Sequence, residues 1–463
     1  MSRKPRLIRE VRGGRVVYTA QTAGVSARSP SALAFPALSI GLLLAAAGAV
    51  VGIGWLGYQA IANPDFGFAL NQVLPTGSNN SGSEATPKTL NQIQSSLQSR
   101  GQTPGQRLIL TSERDSLIPV LQSAQDCSVP CSPHITELRL YRSLQILPLL
   151  RMLLGQRYFQ LQKQRAIADF QFDRLPETEL ALLDKPLSPL ALPMTEIQPY
   201  SDQLPTPGTW LRLSGILNQS NGQISYGQIW YFNPDQSRLQ MILNWSSPNG
   251  STPTWQQVTG SPTPELVVDR SVGFRPAFAI YQLQVDRSSP RTPVRLLALT
   301  LAQPALPAFK PALRLAKAGL WSPALALMQR SKQPSATAQA QIDYVAWHAQ
   351  TARAQAQQTT GSQRIVALLM NGDWTAALQA FPTSAPEQVQ LRALLQTEAD
   401  QLRPRVEAAL AVNAKQLDAI AWGALIIAAQ SGRSDANAWL SRQSATSSKI
   451  QTMLQQLEDA NPQ

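Results

Sequence analysis

The sequence predicts a multidomain, single-pass membrane protein. The predicted order is an N-terminal transmembrane helix, a small α+β region, an all-β domain of the barrel or sandwich type, and an all-α domain. Residues 33–62 contain no charged side chain, residues 209–303 contain repeated runs of alternating apolar and polar residues, and residues 309–463 are rich in Ala, Leu and Gln. These patterns are typical of a bilayer span, of half-buried strands and of helices, respectively.

Shifts in composition divide the chain into seven segments. In order, they are a basic cytoplasmic tail (1–32), the transmembrane helix (33–62), a flexible polar linker (63–88), an α+β region with a Cys pair (89–183), a Pro-rich linker (184–208), the β domain (209–303) and the helical domain (304–463). We expect the tail to be disordered, because it lacks hydrophobic periodicity and Gly13, Gly14 and Pro5 interrupt it.

The charge-free segment has an apolar centre at residues 38–61, with Trp55 and Tyr58 near its end. At about 1.5 Å per residue, this centre covers the roughly 30 Å of a hydrocarbon core. The alternative is a cleaved signal peptide, since Ala60-Ile61-Ala62 has a form that a signal peptidase accepts. A cleavable core has only about 7–15 residues and a short leader, so the pattern favours an uncleaved anchor.

The flanking charges predict the orientation of the anchor. Residues 1–28 carry seven basic side chains against one acidic side chain, which predicts a cytoplasmic N-terminus next to anionic lipid. Everything after residue 62 is then exported across a plasma or thylakoid-type membrane. The part after the leader has no basic cluster despite the net charge of +12, so nucleic acid is not an expected partner.

Gly48 and Gly52 lie four residues apart within the predicted span. This small-xxx-small spacing lets two helices approach closely and suggests a homodimer contact in the membrane. The alternative is a span that is merely rich in Gly and Ala.

The α+β region has mixed periodicity. Leu90, Ile93 and Leu97 predict a helix, and residues 135–142 alternate as a half-buried strand does. Residues 115–123 suggest a short helix, residues 144–154 are apolar at helical spacing, and residues 157–172 fit either type of element.

The two cysteines of the chain, Cys127 and Cys131, flank Pro130. In an oxidising exported compartment, such a close pair favours a disulfide, with two reduced buried thiols as the alternative. His134 follows, but a structural zinc site needs four ligands and the only other histidine is the distant His348. The sequence therefore predicts neither a metal site nor a cofactor.

The β domain contains strand-like runs at 210–218, 223–232, 238–245, 265–269, 277–285 and 294–301. Its four tryptophans, Trp210, Trp230, Trp245 and Trp255, are expected to pack in the core, because aromatic residues are common in strands. The alternative is that they are exposed and stack on the sugars of a cell-wall glycan.

The helical domain contains a loose internal repeat. Residues 315–325 match residues 368–378, and residues 428–436 form a weaker copy; each copy has a glycine where a helix is expected to end. These glycines are Gly319, Gly372 and Gly432.

The repeat resembles tetratricopeptide repeats, with Ala421-Trp422 through Leu425 followed by Gly432 as the nearest match. The glycine intervals of 53 and 60 residues differ from the 34 of that family, which favours irregular α-hairpins in a short solenoid. The resemblance implies a partner-binding face, for which Trp321, Trp374 and Trp422 are the candidates. The alternative is a helical cap that packs on the β domain.

The sequence does not predict an enzyme. It contains no P-loop, no G-x-S-x-G and no H-E-x-x-H motif, and we expect His348 to be a packed or solvated residue. Our hypothesis is an anchored extracytoplasmic scaffold or assembly protein that binds membrane or envelope proteins. The alternatives are an anchored glycan-binding protein and, with less support, an anchored hydrolase that uses distant carboxylates.

The predicted topology is tested by two treatments of membranes that contain the protein. Protease added outside sealed cells should digest most of the chain, because residues after the anchor are exported. Alkaline carbonate should leave the chain in the membrane pellet, because an apolar span holds it there. Protection from the protease, or release by carbonate, would contradict the anchor.

Overall fold

The computed structural model describes residues 7–12, 15–20, 86–110, 113–122, 133–144, 156–171, 191–200, 204, 206, 208–220, 222–285, 294–301, 303–443 and 447–459. The predicted membrane span, Gly48, Gly52, Cys127 and Cys131 lie outside these residues. Among the residues described, no helix is both long and apolar enough to cross a bilayer. The chain forms two compact units, Met1–Asn80 with Gln145–Gln156, and Ser81–Leu144 with Arg157–Gln463.

In the first unit, strands β1 (Leu7–Arg12) and β2 (Arg15–Ala20) pair antiparallel, with Arg12 opposite Arg15. The expectation of disorder is therefore wrong for these residues. Both runs contain β-branched residues, and the two glycines between them have the spacing of a tight hairpin rather than of an interruption.

The second unit begins with a sheet in the order β3-β8-β7-β6-β4, with β5 paired to β6. Its elements are β3 (Lys88–Thr89), α1 (Leu90–Gln98), β4 (Thr103–Pro104), β5 (Leu108–Ile109), β6 (Asp115–Gln122), β7 (His134–Ser143) and β8 (Tyr158–Ala166). We call this the first sheet. Helix α1 starts with a capping box between Thr89 and Gln92, and it buries Ile93 and Leu97 against the sheet.

The predicted helix at Leu90 and the predicted strand at residues 135–142 are confirmed. The predicted helix at residues 115–123 is wrong, because this segment is strand β6. Leu117 of β6 lies in the core on one face of the sheet, whereas Ile118 and Val120 lie in the core under α1. A strand that is buried on both faces gives a continuous apolar run, which periodicity alone does not distinguish from a helix.

Two short strands, β9 (Phe170–Gln171) and β10 (Ala191–Leu192), pair before the second sheet. That sheet is an antiparallel meander of β11 (Glu196–Pro199), β12 (Thr209–Gln219), β13 (Gly222–Asn233) and β14 (Arg238–Ser247). We call it the middle sheet. Strand β11 lies within the predicted Pro-rich linker, and it occupies an edge of the sheet, where proline is tolerated.

The third sheet is a second meander, of β15 (Thr254–Gln256), β16 (Glu265–Asp269), β17 (Phe278–Val285) and β18 (Val294–Ala298). Six of the eight strands in the two meanders were predicted from alternation, and β11 and β15 were missed. The sheets together make a β-rich region that includes a curled, half-barrel sheet.

Alternate residues of β13 enter two different cores. Tyr226, Trp230 and Phe232 pack with residues of the first sheet, whereas Ile229 and Tyr231 pack with residues of the third sheet. Alternate side chains of a strand point to opposite faces, so the middle sheet is covered on both sides. The α+β region and the β domain therefore share a core.

The C-terminal region is helical, as predicted. After a 3₁₀ turn at Pro307–Phe309, its helices are α2 (Lys310–Lys317), α3 (Trp321–Met328), α4 (Ala336–Gln358), α5 (Gly361–Asn371), α6 (Trp374–Gln379), α7 (Ala385–Thr397), α8 (Ala399–Val412), α9 (Leu417–Ser431), α10 (Arg433–Arg442) and α11 (Ser448–Asp459). Val267 and Ile280 of the third sheet belong to the same core as these helices.

The first two copies of the internal repeat have the same turn geometry. Gly319 and Gly372 both have φ +77°. The N–H of Leu320 donates to the carbonyl of Leu315 over 2.9 Å, and the N–H of Asp373 donates to Leu368 in the same way over 2.9 Å. These are Schellman turns, after which Trp321 and Trp374 start the next helix.

The shared core predicts a large difference between two positions of strand β12. The side chain of Leu213 is fully buried, whereas Ile216 is 57% exposed. We expect Leu213→Ala to lower the free energy of unfolding by about 2–5 kcal/mol, because it leaves a cavity. We expect Ile216→Ala to change it by less than about 0.5 kcal/mol.

Urea unfolding followed by tryptophan fluorescence measures both variants. Equal losses would contradict the arrangement in which β12 packs on the first sheet.

Candidate functional site

The structure separates the three tryptophans that the repeat suggested as a partner-binding face. Trp374 is 2% exposed and Trp422 is fully buried, and the indole N–H of Trp422 donates to the carbonyl of Trp374 over 3.1 Å. These two side chains fill the helical core and do not form a surface in this conformation. Trp321 is half-buried and lines a pocket.

The tryptophans of the β domain are buried, as the core interpretation expected. Trp210, Trp230, Trp245 and Trp255 are at most 9% exposed. The indole of Trp210 donates to Thr206 over 2.9 Å, and that of Trp230 donates to Gln228 over 3.0 Å. None of these rings offers a free face for stacking on a sugar.

The pocket that Trp321 lines lies between the third sheet and the helices, and we call it the junction pocket. It has a volume of about 470 Å³. The connection between β16 and β17, residues 270–277, forms one wall, and parts of α2, α3, α4 and α8 form the others. In that connection, Val272 and Arg275 form a β-bridge around Gly273, whose φ is +54°.

Aromatic side chains from both halves of the unit form one side of the junction pocket. The indole of Trp321 stacks on the imidazole of His348 with ring centroids 4.1 Å apart. Phe278 of β17 meets the same imidazole edge-on at 5.3 Å, and Tyr344 lies at 4.4 Å. Phe278 also meets Trp347 edge-on at 4.8 Å. This aromatic cluster connects the third sheet to helices α3 and α4.

His348 is held in a neutral form at the centre of this aromatic cluster. Burial lowers its pKa to about 4, although the carbonyls of Tyr344 and Phe278 favour the protonated ring. Nδ1 lies 2.9 Å from the Tyr344 carbonyl, and Nε2 makes no hydrogen bond of good geometry within the described residues. The interpretation of His348 as a packed residue is confirmed.

Four cationic side chains line the junction pocket: Arg270, Arg275, Lys317 and Arg405. Among the described residues, no Asp or Glu lines the pocket. Arg405 donates from Nη1 to the carbonyl of Gln401 over 2.8 Å and from Nε to that of Met370 over 3.3 Å. Arg275 makes a long contact of 3.4 Å to the Gln401 amide oxygen. The pocket therefore combines an aromatic side with a cationic side.

The guanidinium groups of Arg275 and Arg405 repel each other. Burial is the main cause that lowers the pKa of Arg405, repulsion from Arg275 lowers it further, and Glu398 opposes both. Neither arginine forms an ion pair with any residue that the structure describes. Glu398 offsets only part of this repulsion, and the remaining positive potential is one that an anion would relieve.

Two smaller concave surfaces also have no carboxylate among their described lining residues. One lies beside α1 and includes Arg139, and the other lies between the β12–β13 turn and Gly273. The described residues that line these three pockets therefore include no pair of acids of the kind that a hydrolase would need. The described residues also contain no group of three or more His, Cys, Asp or Glu side chains placed to hold a metal ion.

Sequence reasoning missed the cationic side of the junction pocket. Arg270 and Arg275 flank a turn of the third sheet, Lys317 ends α2, and Arg405 lies in α8, so 135 residues separate the first from the last. No local pattern marks them, because only the packing of the sheet against the helices brings them together. A weak signal was Gly273, which indicates a tight turn beside two arginines.

No family model, curated protein or solved structure matches this chain.

The depressed pKa of His348 predicts a pH-dependent stability. A folded pKa of about 4 lies below the ordinary value of 6.5, so the stabilisation is complete above pH 6.5 and is lost as the pH falls toward 4. At pH 4 we expect a loss of about 3 kcal/mol from this residue.

The variant His348→Phe keeps an aromatic ring at this position but cannot titrate. Urea unfolding at pH 7 and pH 4 measures both proteins, and carboxylate titration affects them alike. We expect the variant to lose less stability on acidification than the wild type. An identical loss in both would show that burial does not hold the ring neutral.

Proposed function

We propose that this chain is a membrane-anchored scaffold whose exported part binds protein partners. The observation that carries the proposal is the junction pocket, which combines aromatic and cationic side chains and has no Asp or Glu among the described residues of its lining. Such a lining suits recognition of another molecule, because aromatic and arginine side chains dominate binding energy at protein interfaces. None of its described lining residues supplies the paired carboxylates that acid–base hydrolysis uses.

The helical region supports the same proposal. Its two matched Schellman turns pack on each other: the amide of Asn371 donates to the Ser322 hydroxyl over 2.9 Å, and a Cβ added to Gly372 would lie 2.9 Å from Leu320. Helical hairpins that stack through equivalent turns are the building unit of solenoids, which commonly bind peptides. We include a solenoid of tetratricopeptide-like hairpins in the proposal.

The charge-free segment at residues 33–62 supports anchorage. In the proposed arrangement, the basic tail stays in the cytoplasm and the sheets and helices are held at the outer surface of a plasma or thylakoid-type membrane. Confinement at the membrane raises the effective concentration of these modules toward a neighbouring complex. The proposed partners are membrane or envelope proteins, and a second copy is proposed through Gly48 and Gly52.

A photo-crosslinking amino acid at two positions of the full chain tests the scaffold in intact cells. Lys317 is exposed at the rim of the junction pocket, and Lys163 is exposed on strand β8 of the first sheet. We expect protein adducts on illumination, identified by mass spectrometry, because a scaffold holds its partners within reach of its surface.

The same cells without illumination provide the control. The absence of protein adducts at both positions, together with a pull-down from solubilised membrane that returns the chain alone, would contradict the proposal.

A further inference from the structure

The junction pocket has the features of an anion site. Arg275, Lys317 and Arg405 line it, no Asp or Glu lines it among the described residues, and a cleft lined by one sign of charge concentrates counter-ions. Arg275 and Arg405 lie close enough to repel each other, and neither forms a close ion pair among the described residues, although Glu398 offsets part of the repulsion at Arg405. A negative group between them would replace this repulsion with two charge-assisted hydrogen bonds.

The other side of the junction pocket is apolar and aromatic. Trp321 and Phe278 line it, and both contact the buried imidazole of His348. The indole N–H of Trp321 is buried and finds no acceptor among the described residues. A ligand that satisfies both sides must therefore join a negative group to an apolar body, and the volume of about 470 Å³ lies within the range of ligand pockets.

The donors that remain available favour a carboxylate over a phosphate. Arg405 already uses Nε and Nη1 on the carbonyls of Met370 and Gln401, so its remaining donors are few. A carboxylate has two oxygens in one plane, which a guanidinium can match, whereas a phosphate presents three oxygens and about twice the charge.

We propose that the junction pocket binds a carboxylate attached to an apolar or aromatic group. Two sources carry this chemistry: the C-terminal end of a partner peptide whose last side chain is apolar, and a free aryl carboxylic acid. The first source, the C-terminal end of a partner peptide, would specify how the proposed scaffold binds its partners and depends on that proposed function. The second source is independent of that function.

Isothermal titration of the full chain in detergent micelles tests the site with four probes. The probes are N-acetyl-Leu-Phe with a free C-terminal carboxylate, the same dipeptide as its C-terminal amide, phenylacetate and phenyl phosphate. We expect the peptide acid to bind at least about tenfold more tightly than its amide, because the amide cannot form the charge-assisted hydrogen bonds. We also expect binding to weaken as the salt concentration rises.

Arg275→Gln should weaken binding of the carboxylate probes about tenfold or more, and Lys317→Gln should weaken it by a smaller factor because that side chain is exposed. The matched control is Arg364→Gln, which removes the same charge from an exposed position of α5 that does not line the pocket. Circular dichroism checks that each variant is folded. Lys317→Gln and the salt dependence of the wild type keep the test decisive if Arg275→Gln does not fold.

Each outcome supports or overturns the proposal. Binding of the peptide acid alone supports the site and assigns it to a partner chain, whereas binding of phenylacetate as well shows that a free acid is sufficient. The proposal is overturned if no carboxylate probe binds, if Arg364→Gln weakens binding as much as Arg275→Gln, or if phenyl phosphate binds tenfold more tightly than phenylacetate. If photo-crosslinks to partners persist in Arg275→Gln, the scaffold proposal is still supported. The junction pocket is then not the site that binds those partners.

Discussion

The burial of strand β13 on both faces is the constraint on which the second unit depends. Its even-numbered aromatic residues, such as Trp230 and Phe232, pack toward the first sheet, and its odd-numbered residues, such as Tyr231, pack toward the third. Because every side chain of a central strand points to one face or the other, β13 connects two cores. The α+β region and the β domain are consequently one layered body, although a proline-rich segment separates them in the sequence.

The helical region packs against the third sheet, which is the next layer of the same unit. Val267 and Ile280 turn away from the middle sheet and enter the helical core, and Phe278 meets the imidazole of His348. The connection between β16 and β17 lines the space beside α2 and α8 without filling it. The junction pocket is therefore a consequence of joining a twisted sheet to a set of helical hairpins. Its position at the boundary between the two halves is typical of ligand sites.

Much of the fold was predictable where regular spacing or a turn residue marks a segment. The meander strands alternate clearly, the helix at Leu90 has regular spacing, and Gly319 and Gly372 indicated helix ends that the structure shows as matched turns. Prediction failed at β6, where burial on both faces removes the alternation, and at the N-terminal hairpin, where paired glycines were interpreted as breakers. The sequence identified the three repeat tryptophans as a group. It did not predict that Trp374 and Trp422 lie in the helical core whereas Trp321 lines a pocket.

The sequence by itself determined the charge-free segment, the basic leader, the change from β to α composition near residue 304 and the repeated glycine turns. These are local properties, because each depends on residues a few positions apart. Only the tertiary structure decided that three sheets form one stack and that Arg275, Lys317 and Arg405 face one aromatic pocket. Contacts between residues that are distant along the chain depend on how whole layers pack, and no local pattern of residues records that packing.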